Sequence, residues 1–145
     1  MSDAYRIILT SVATIVGSIF VLVFGQFAIR FFIDPVVEAR KAIGEVADVL
    51  IFYANIYANP AVVGEARRTE ASQALRQQAS LLRVRAYAVP VYTLAVFLGL
   101  LRPLSAMDSA SRSLMGLSNA FSTADYHEVR NLVNEIREAL QLPEI

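Results

Sequence analysis

The sequence predicts an all-α protein with an N-terminal transmembrane helix followed by a small helical bundle, and three observations support this. Hydrophobic residues make up 56% of the 145 residues and charged residues only 18%, against about 25% charged in an average soluble domain. A run of twenty-three uncharged residues lies between Arg6 and Arg30. Elsewhere apolar residues recur at helical spacing, and the alternation typical of strands and hairpins is absent from the sequence.

The uncharged run predicts a membrane anchor over residues 1–33. As a helix it would cover roughly 34 Å, enough for the ~30 Å hydrocarbon core of a bilayer. A cleaved signal peptide is the alternative, but it would have a shorter apolar run and a small-residue cleavage site. Arg6 precedes the run, whereas Arg30, Arg40 and Lys41 follow it. The positive-inside tendency therefore predicts a single-pass protein with a cytoplasmic C-terminal domain.

Small residues within the anchor suggest helix–helix contact. Ala13 and Gly17 have the four-residue spacing that permits close approach of two helices in lipid. Small residues are also common in any span, and this alternative stays open. We accordingly expect Ala13 and Gly17 to take part in helix packing or in an oligomer.

A helical domain is predicted over residues 34–145. Asp34-Pro35 is a helix start signal and is expected to separate the first domain helix from the anchor, and Asn59-Pro60 is expected to end that helix. The periodic segments predict five helices, over residues 34–59, 65–88, 90–102, 105–121 and 123–141.

Apolar stripes indicate the helix faces expected to be buried. The stripe of the first domain helix comprises Val36, Ile43, Ala47, Leu50 and Ala54, widened by Ile51. The stripe of the second comprises Ala71, Leu75, Ala79, Leu82 and Ala86. The stripe of the last comprises Val129, Leu132, Val133, Ile136 and Leu140.

The helix 105–121 carries small and hydroxyl-bearing residues that favour tight packing against another helix. Ser111, Ser118 and Ser122 lie at i, i+7 and i+11, although an exposed, mildly polar surface is the alternative. The residues expected to serve helix packing or an oligomer interface in this half of the chain are Leu114, Gly116, Leu132 and Ile136.

Residues 86–101 form a second uncharged run, sixteen residues long, between Arg85 and Arg102. As a helix this run would cover roughly 24 Å, short of the hydrocarbon core, and Pro90 interrupts its start. We expect a non-spanning helix that packs in the domain and leans on the bilayer, with a re-entrant or second span as the alternative. Cations and tyrosines are typical of the headgroup boundary, so the expected membrane-interface residues are Arg30, Arg83, Arg85, Tyr87, Tyr92 and Arg102.

The charged residues are distributed unevenly. Residues 62–112 carry seven arginines against three carboxylates, a charge of +4, whereas residues 113–145 carry two arginines against five carboxylates, a charge of −3. The basic part could dock the C-terminal helix, face anionic lipid or remain a solvated surface. These three interpretations stay open.

The residue content argues against catalysis. Cysteine is absent and His127 is the only histidine, so thiolate and histidine-rich metal sites are excluded. Asn131 stands where an H-E-x-x-H site would need its second histidine, and no glycine-rich phosphate loop or G-x-S-x-G element occurs. We therefore expect no enzyme activity, cofactor, metal or small-molecule substrate. Zero net charge likewise argues against a nucleic-acid partner.

Residues 75–121 resemble a widespread group of uncharacterised bacterial proteins. In that group an Arg-rich helix precedes an A-x-A-[IV]-P turn and an L-x-G-L-S-N element. The matching residues here are Ala86, Ala88, Pro90, Leu114, Gly116, Leu117, Ser118 and Asn119. A preceding membrane helix is typical of the group, and the resemblance implies a location in the bacterial inner membrane. It implies no particular activity.

The order of elements is also similar to that of the accessory membrane-pore protein of type VI CRISPR systems. That family joins a membrane helix to a HEPN-like helical domain and assembles into a ring-shaped pore. The R-x₄₋₆-H motif of HEPN domains is absent here, because Arg112 lies fifteen residues before His127. An RNA-directed function is therefore the least favoured interpretation.

These observations together predict a non-enzymatic single-pass membrane protein whose cytoplasmic helical domain self-associates, as a ring or pore. Its expected partners are the lipid bilayer and further copies of the chain. The alternative is a membrane-tethered adaptor that binds a protein partner, either through the Leu132/Ile136 face or through the Arg76/Arg83 face.

Overall fold

The computed structural model describes residues 3–58, 63–123 and 126–143, and this part of the chain is helical without strands. The all-α prediction is therefore confirmed. The chain divides after Asp34 into two compact units. The helices are α1 (Asp3–Ala28), a π-helical turn (Ile29–Ile33), α2 (Asp34–Phe52), α3 (Ala54–Ala58), α4 (Glu65–Tyr87), α5 (Tyr92–Phe97), α6 (Leu104–Thr123) and α7 (Tyr126–Leu140).

The first unit consists of α1 and the π-helical turn, and no side chain of α1 is buried. The hydroxyls of Thr10, Thr14 and Ser18 donate to the backbone carbonyls four residues earlier, at 2.7, 2.9 and 2.8 Å. Such back-bonding satisfies a hydroxyl within its own helix. By length and composition the N-terminal helical segment could cross a membrane, and it is the one such segment in the described part of the chain.

The expected helix break at Asp34-Pro35 does not occur. Asp34 is α-helical (φ −57°, ψ −47°), and its N–H bonds to the carbonyl of Ile29, five residues earlier. A proline within a helix lacks an N–H and crowds the carbonyl four residues before it. The π-helical turn widens the helix at these carbonyls. Helical conformation therefore continues from Ile33 into α2, and the prediction of a break is wrong.

The core-facing side of α2 differs from the predicted stripe. Its buried residues are Ala39, Ala42, Val46 and Leu50, so of the predicted stripe only Leu50 is fully buried. The alanines form the face on which other elements approach closely. The larger apolar residues that defined the predicted stripe, Val36 and Ile43, lie at its margins and are half-buried.

The predicted single helix over residues 34–59 is divided at Tyr53. α2 ends at Phe52, and α3 begins at Ala54 with a tighter turn in which the N–H of Ile56 donates to the carbonyl of Tyr53 at 2.9 Å. Tyr53 and Ile56 are buried, whereas Ile51 and Phe52 are exposed. The predicted end at Asn59-Pro60 lies outside the described residues.

The main core is built where α6 lies between α4 and α7 and contacts both. The predicted stripe of α4 is confirmed, since Ala71, Leu75, Ala79, Leu82 and Ala86 are all buried. The other helices supply α2 residues Ala42, Val46 and Leu50, α6 residues Met107, Ala110, Leu114, Leu117, Ala120 and Phe121, and α7 residues Val129, Val133, Ile136 and Leu140.

Hydroxyl groups join α6 to α4 across their closest approach. Ser111 Oγ donates to the carbonyl of Ala79 at 2.8 Å, and Ser72 Oγ donates to the carbonyl of Ser118 at 2.7 Å. Ser111 and Ser118 are buried. This confirms that the hydroxyl-bearing face of the helix packs tightly against another helix and is not an exposed, mildly polar surface. The side chain of Ser122 lies outside the described part.

The contact of α6 with α7 depends on Gly116. A Cβ atom at this position would lie 3.1 Å from Leu132 Cδ2, closer than ordinary van der Waals contact. Leu114 and Ile136 are buried in the same region. Ile136 and most of Leu132 are thus engaged in packing within one chain. Binding of another molecule by the Leu132/Ile136 face stays a prediction.

The predicted helix over residues 90–102 is much shorter, because α5 comprises only six residues. Val91 adopts left-handed geometry (φ +52°) just before it, and Gly99 (φ +69°) follows it. The N–H groups of Leu100 and Gly99 donate to the carbonyls of Ala95 and Val96, which is the Schellman pattern that ends a helix. Six residues rise about 9 Å, far short of a ~30 Å span.

Replacement of Leu114 with alanine tests the central position of α6. The buried side chain would leave a cavity, and we expect the free energy of unfolding to fall by about 2–5 kcal/mol. The matched control is Met115→Ala, one residue further along and partly exposed, with an expected loss of about 1 kcal/mol or less. Urea unfolding of the full chain in mild detergent, followed by circular dichroism, measures both. Equal losses would contradict the described orientation of α6.

Replacement of two glycines with alanine tests the turn after α5. Gly99→Ala places a Cβ in left-handed geometry and should cost about 1–2 kcal/mol, although the space around it is open. Gly44→Ala lies within α2, where space is also open, and should stabilise the protein by about 0.5–1 kcal/mol. The same unfolding measurement distinguishes them, and a stabilising Gly99→Ala would contradict the observed turn.

Candidate membrane-contact surfaces

The segment that contains α5 exposes large apolar side chains on a domain that otherwise has a complete core. Their exposed fractions range from 40% at Leu100 to 85% at Phe97. A contiguous apolar patch that remains exposed typically marks an interaction site. We define the apolar tip as Val91, Leu94, Phe97, Leu98 and Leu100.

A small second core fixes the base of the apolar tip. Val89, Ala95 and Leu101 are buried together with Ala39 of α2, and Val36 packs against them. Val89, Ala95 and Leu101 each have an exposed neighbour in the sequence. One side of α5 therefore faces the domain, and the other side faces outward. The tip therefore projects from the part of the domain where α2 begins.

Tyr92 closes the base of the tip by a hydrogen bond. Its hydroxyl donates to the carbonyl of Arg102 at 2.7 Å and so joins the two ends of the segment. Burial, together with the charge of Asp108, raises the pKa of Tyr92 to about 12. The hydroxyl is consequently protonated at physiological pH and remains a donor. Tyr92, predicted to lie at the membrane interface, is thus a partly buried structural residue.

Arg83 and Tyr87 share one acidic partner. Arg83 Nε lies 3.2 Å from Asp108 Oδ1, and the Tyr87 hydroxyl donates to Asp108 Oδ2 at 2.9 Å. The Arg83 guanidinium also lies over the Tyr87 ring, 5.8 Å from its centroid. Both side chains are largely exposed, but the charge of Arg83 is already balanced by a carboxylate.

Arg85 is held more tightly by α2. Its Nη1 donates to Glu45 Oε2 at 2.7 Å, and its Nε lies 3.7 Å from Glu38 Oε2. The Arg85 side chain is only 22% exposed. Arg85, predicted to bind headgroups, is therefore committed to joining α4 and α2 within the domain.

The other predicted interface residues have different positions. Arg102 is half-buried, and its Nε is buried without a hydrogen bond among the described residues. Arg30 is exposed within the π-helical turn of the first unit. The six predicted residues thus do not form one cationic surface.

The predicted packing residues of α1 are open on the helix surface. Ala13 and Gly17 are exposed, and a Cβ at Gly17 would meet no atom within 4 Å. The side chains of Thr14 and Ser18 lie next to them and are satisfied by backbone carbonyls. This face of α1 therefore carries small side chains, and the neighbouring hydroxyl groups are hydrogen-bonded within the helix.

A polar groove of about 380 Å³ lies between α4 and the C-terminal part of α6. Arg76 donates from Nε to Ser118 Oγ at 3.2 Å and from Nη2 to Asn119 Oδ1 at 2.9 Å. Arg68 and Glu65 also line the groove. The L-x-G-L-S-N element thus meets the Arg-bearing helix at one place, a juxtaposition that sequence reasoning did not predict.

Metal-ligating side chains are not clustered in the described part of the chain. No group of three or more His, Asp or Glu side chains in this part of the chain could hold a metal ion. His127 is exposed at the start of α7. The sequence predicts that residues 86–101 lean on the bilayer, but its pattern indicates the arginines and tyrosines as the interface residues and not the apolar side chains of the tip.

Replacement of the two acidic partners of Arg85 tests its structural role. Glu45→Gln removes the 2.7 Å charged bond to a mostly buried guanidinium, and we expect a loss of about 1–2 kcal/mol in unfolding free energy. Glu38→Gln removes a 3.7 Å contact to a half-exposed carboxylate and should cost about 0.5 kcal/mol or less. Denaturant unfolding in low-salt detergent buffer measures both. Equal effects would show that Glu45 has no special role.

In comparisons with known proteins, no protein-family model, no curated protein and no solved structure matches the chain. The similarity to bacterial membrane-anchored helical proteins therefore stays a prediction. Function is inferred here from the surfaces that the fold exposes.

Proposed function

We propose that this chain is a non-enzymatic single-pass membrane protein of the bacterial inner membrane, anchored by α1 and carrying its helical domain on the cytoplasmic side. The observation that carries this proposal is the apolar, wholly exposed surface of α1, a helix of 26 residues. Such a helix rises about 39 Å, more than the ~30 Å hydrocarbon core. A helix that is apolar on all sides has a high free-energy cost when it is exposed to water, and surrounding lipid removes this cost.

Hydrogen bonding and charge within α1 also support insertion. Backbone groups of a helix are satisfied internally, and the hydroxyls of Thr10, Thr14 and Ser18 are satisfied as well. Charged side chains occur only at the ends of this unit, with Asp3 and Arg6 before the apolar stretch and Arg30 after it. The other polar side chains of the apolar stretch are Ser11 and Gln26, and Gln26 lies close to its end.

We further propose that the protein self-associates through α1. The amphipathic faces of α4, α6 and α7 are already buried within one chain, so they support no oligomer contact. The Ala13/Gly17 face is open, and small residues permit the close helix approach that drives association in lipid. Repeated around an axis, such contacts build a ring or pore.

A bulky residue at Gly17 tests this association. Gly17→Leu should prevent close approach of two α1 helices and weaken association by about tenfold. Ile15→Leu, on the opposite side of α1, is the matched control and should leave association unchanged. Mass photometry of the full chain in mild detergent and in nanodiscs measures the oligomer distribution. A wild-type chain that is monomeric throughout the micromolar range would sink the proposal of self-association.

One observation favours a second candidate, a membrane-tethered adaptor for a protein partner. The polar groove presents Arg68 and Arg76 beside Glu65, and Arg68 Nε is buried without a hydrogen bond among the described residues. Guanidinium groups suit carboxylates of an acidic segment. A monomeric chain that binds an acidic peptide, with binding lost in Arg68→Gln but kept in Arg112→Gln on the exposed side of α6, would support this alternative.

A further inference from the structure

We propose that the apolar tip inserts into the surface of the lipid bilayer and gives the helical domain a second membrane contact beside α1. This inference rests on the proposed function, because it requires α1 to be anchored in the same bilayer. The occupant of the tip surface is lipid at the boundary between headgroups and acyl chains. The following observations support that choice.

The chemistry of the segment suits lipid. Residues 86–101 contain no charged side chain, and the outermost side chain, Phe97, is 85% exposed. Aromatic and aliphatic residues of this kind enter the headgroup boundary readily. A protein partner would instead be expected to meet a polar rim around an apolar centre, and within residues 91–101 only Tyr92 and Thr93 have polar side chains.

Backbone N–H groups of the tip are hydrogen-bonded within the segment and need no water partner. The N–H groups of Leu94, Leu98, Gly99 and Leu100 all donate to carbonyls within the segment, each at 2.9 Å. Irregular backbone is normally excluded from lipid because its polar groups lose their water partners. The short α5 and its Schellman turn avoid this cost, so the tip can be immersed to a shallow depth.

The position of the tip in the domain favours a bilayer partner. The tip stands on the small core that includes Val36 and Ala39, which follow Asp34 by two and five residues. The tip thus belongs to the part of the domain that directly follows the anchor along the chain. The small core beneath the tip is therefore separated from the proposed anchor by only a few residues of chain.

Two arginines near the tip, Arg83 and Arg85, are paired within the domain, and a third, Arg102, is half-buried. Arg83 is balanced by Asp108, and Arg85 is balanced by Glu45. Insertion would therefore be driven by burial of apolar surface rather than by attraction to anionic headgroups. Membrane contact of the tip should accordingly be independent of anionic lipid content.

Tryptophan fluorescence tests the inference, because the chain contains no tryptophan. Three variants of the full chain are reconstituted in zwitterionic vesicles with and without lipids brominated on the acyl chains. Phe97→Trp reports on the tip, and Phe20→Trp reports on α1. Met115→Trp reports on the surface of α6, about 16 Å along that helix from Leu104.

The expected result is loss of fluorescence at both Phe97→Trp and Phe20→Trp, roughly twofold or more greater than at Met115→Trp. Vesicles with added anionic lipid should give the same quenching at Phe97→Trp. Quenching at Phe20→Trp without quenching at Phe97→Trp would overturn the inference and leave the anchor in place. The absence of quenching at both positions would instead contradict the proposed function.

Protection of Phe97→Trp from a water-soluble quencher, without quenching by brominated lipid, would also overturn the inference, because it would identify a protein as the occupant. Quenching that requires anionic lipid would overturn the apolar mechanism. A second variant, Leu98→Ser, should reduce the lipid quenching of Phe97→Trp while the circular dichroism spectrum stays unchanged. Unchanged quenching in that variant would count against insertion of the tip.

Discussion

The close approach of α4 and α6 is the constraint on which the rest of the domain depends. Ser111 reaches the backbone carbonyl of Ala79 with its hydroxyl at 2.8 Å, which requires the two backbones to lie near each other. The alanines of α4 permit this approach because they add little side-chain thickness. The buried hydroxyls are paired, so their burial carries no large penalty. α6 is thereby held in the centre, where its other side, at Gly116, receives α7.

Filling the core in this way decides which surfaces are left for other molecules. The apolar faces of α6 and α7 pack against one another, and the apolar stripe of α4 packs against α6. Exposed apolar side chains therefore cover α1 and the apolar tip, and a few others, such as Ile51 and Phe52, lie elsewhere on the domain. Neither α1 nor the apolar tip contributes to the main core. The separation of a closed core from two open apolar surfaces is the structural basis of the proposed membrane function.

The sequence predicted α4 well and α2 poorly, for a physical reason. α4 has charged and polar residues over most of its other sides, with Val84 as an exposed exception, so periodicity identified its buried face. α2 has apolar residues on several sides, and its smallest ones, Ala39 and Ala42, face the core. Which side of such a helix is buried depends on the shape of its neighbours, which local pattern does not contain. The shortness of α5 likewise depends on Val91 and Gly99 adopting left-handed geometry, although Gly99 was a visible signal of a helix end.

The candidate site shows why residue type alone does not identify which residues are free to contact a membrane. Arginine and tyrosine near an apolar run suggested headgroup binding, but Arg85 lies 2.7 Å from Glu45 and the Tyr87 hydroxyl lies 2.9 Å from Asp108. Whether a cation is free for lipid is decided by tertiary pairing, and carboxylates on distant segments supply it here. Pairing also lowers the cost of bringing these residues towards a low-dielectric phase, because an unpaired charge there is expensive. On the proposed insertion of the apolar tip, the ion pairs would thus lower the cost of approaching lipid, and the apolar side chains would drive it.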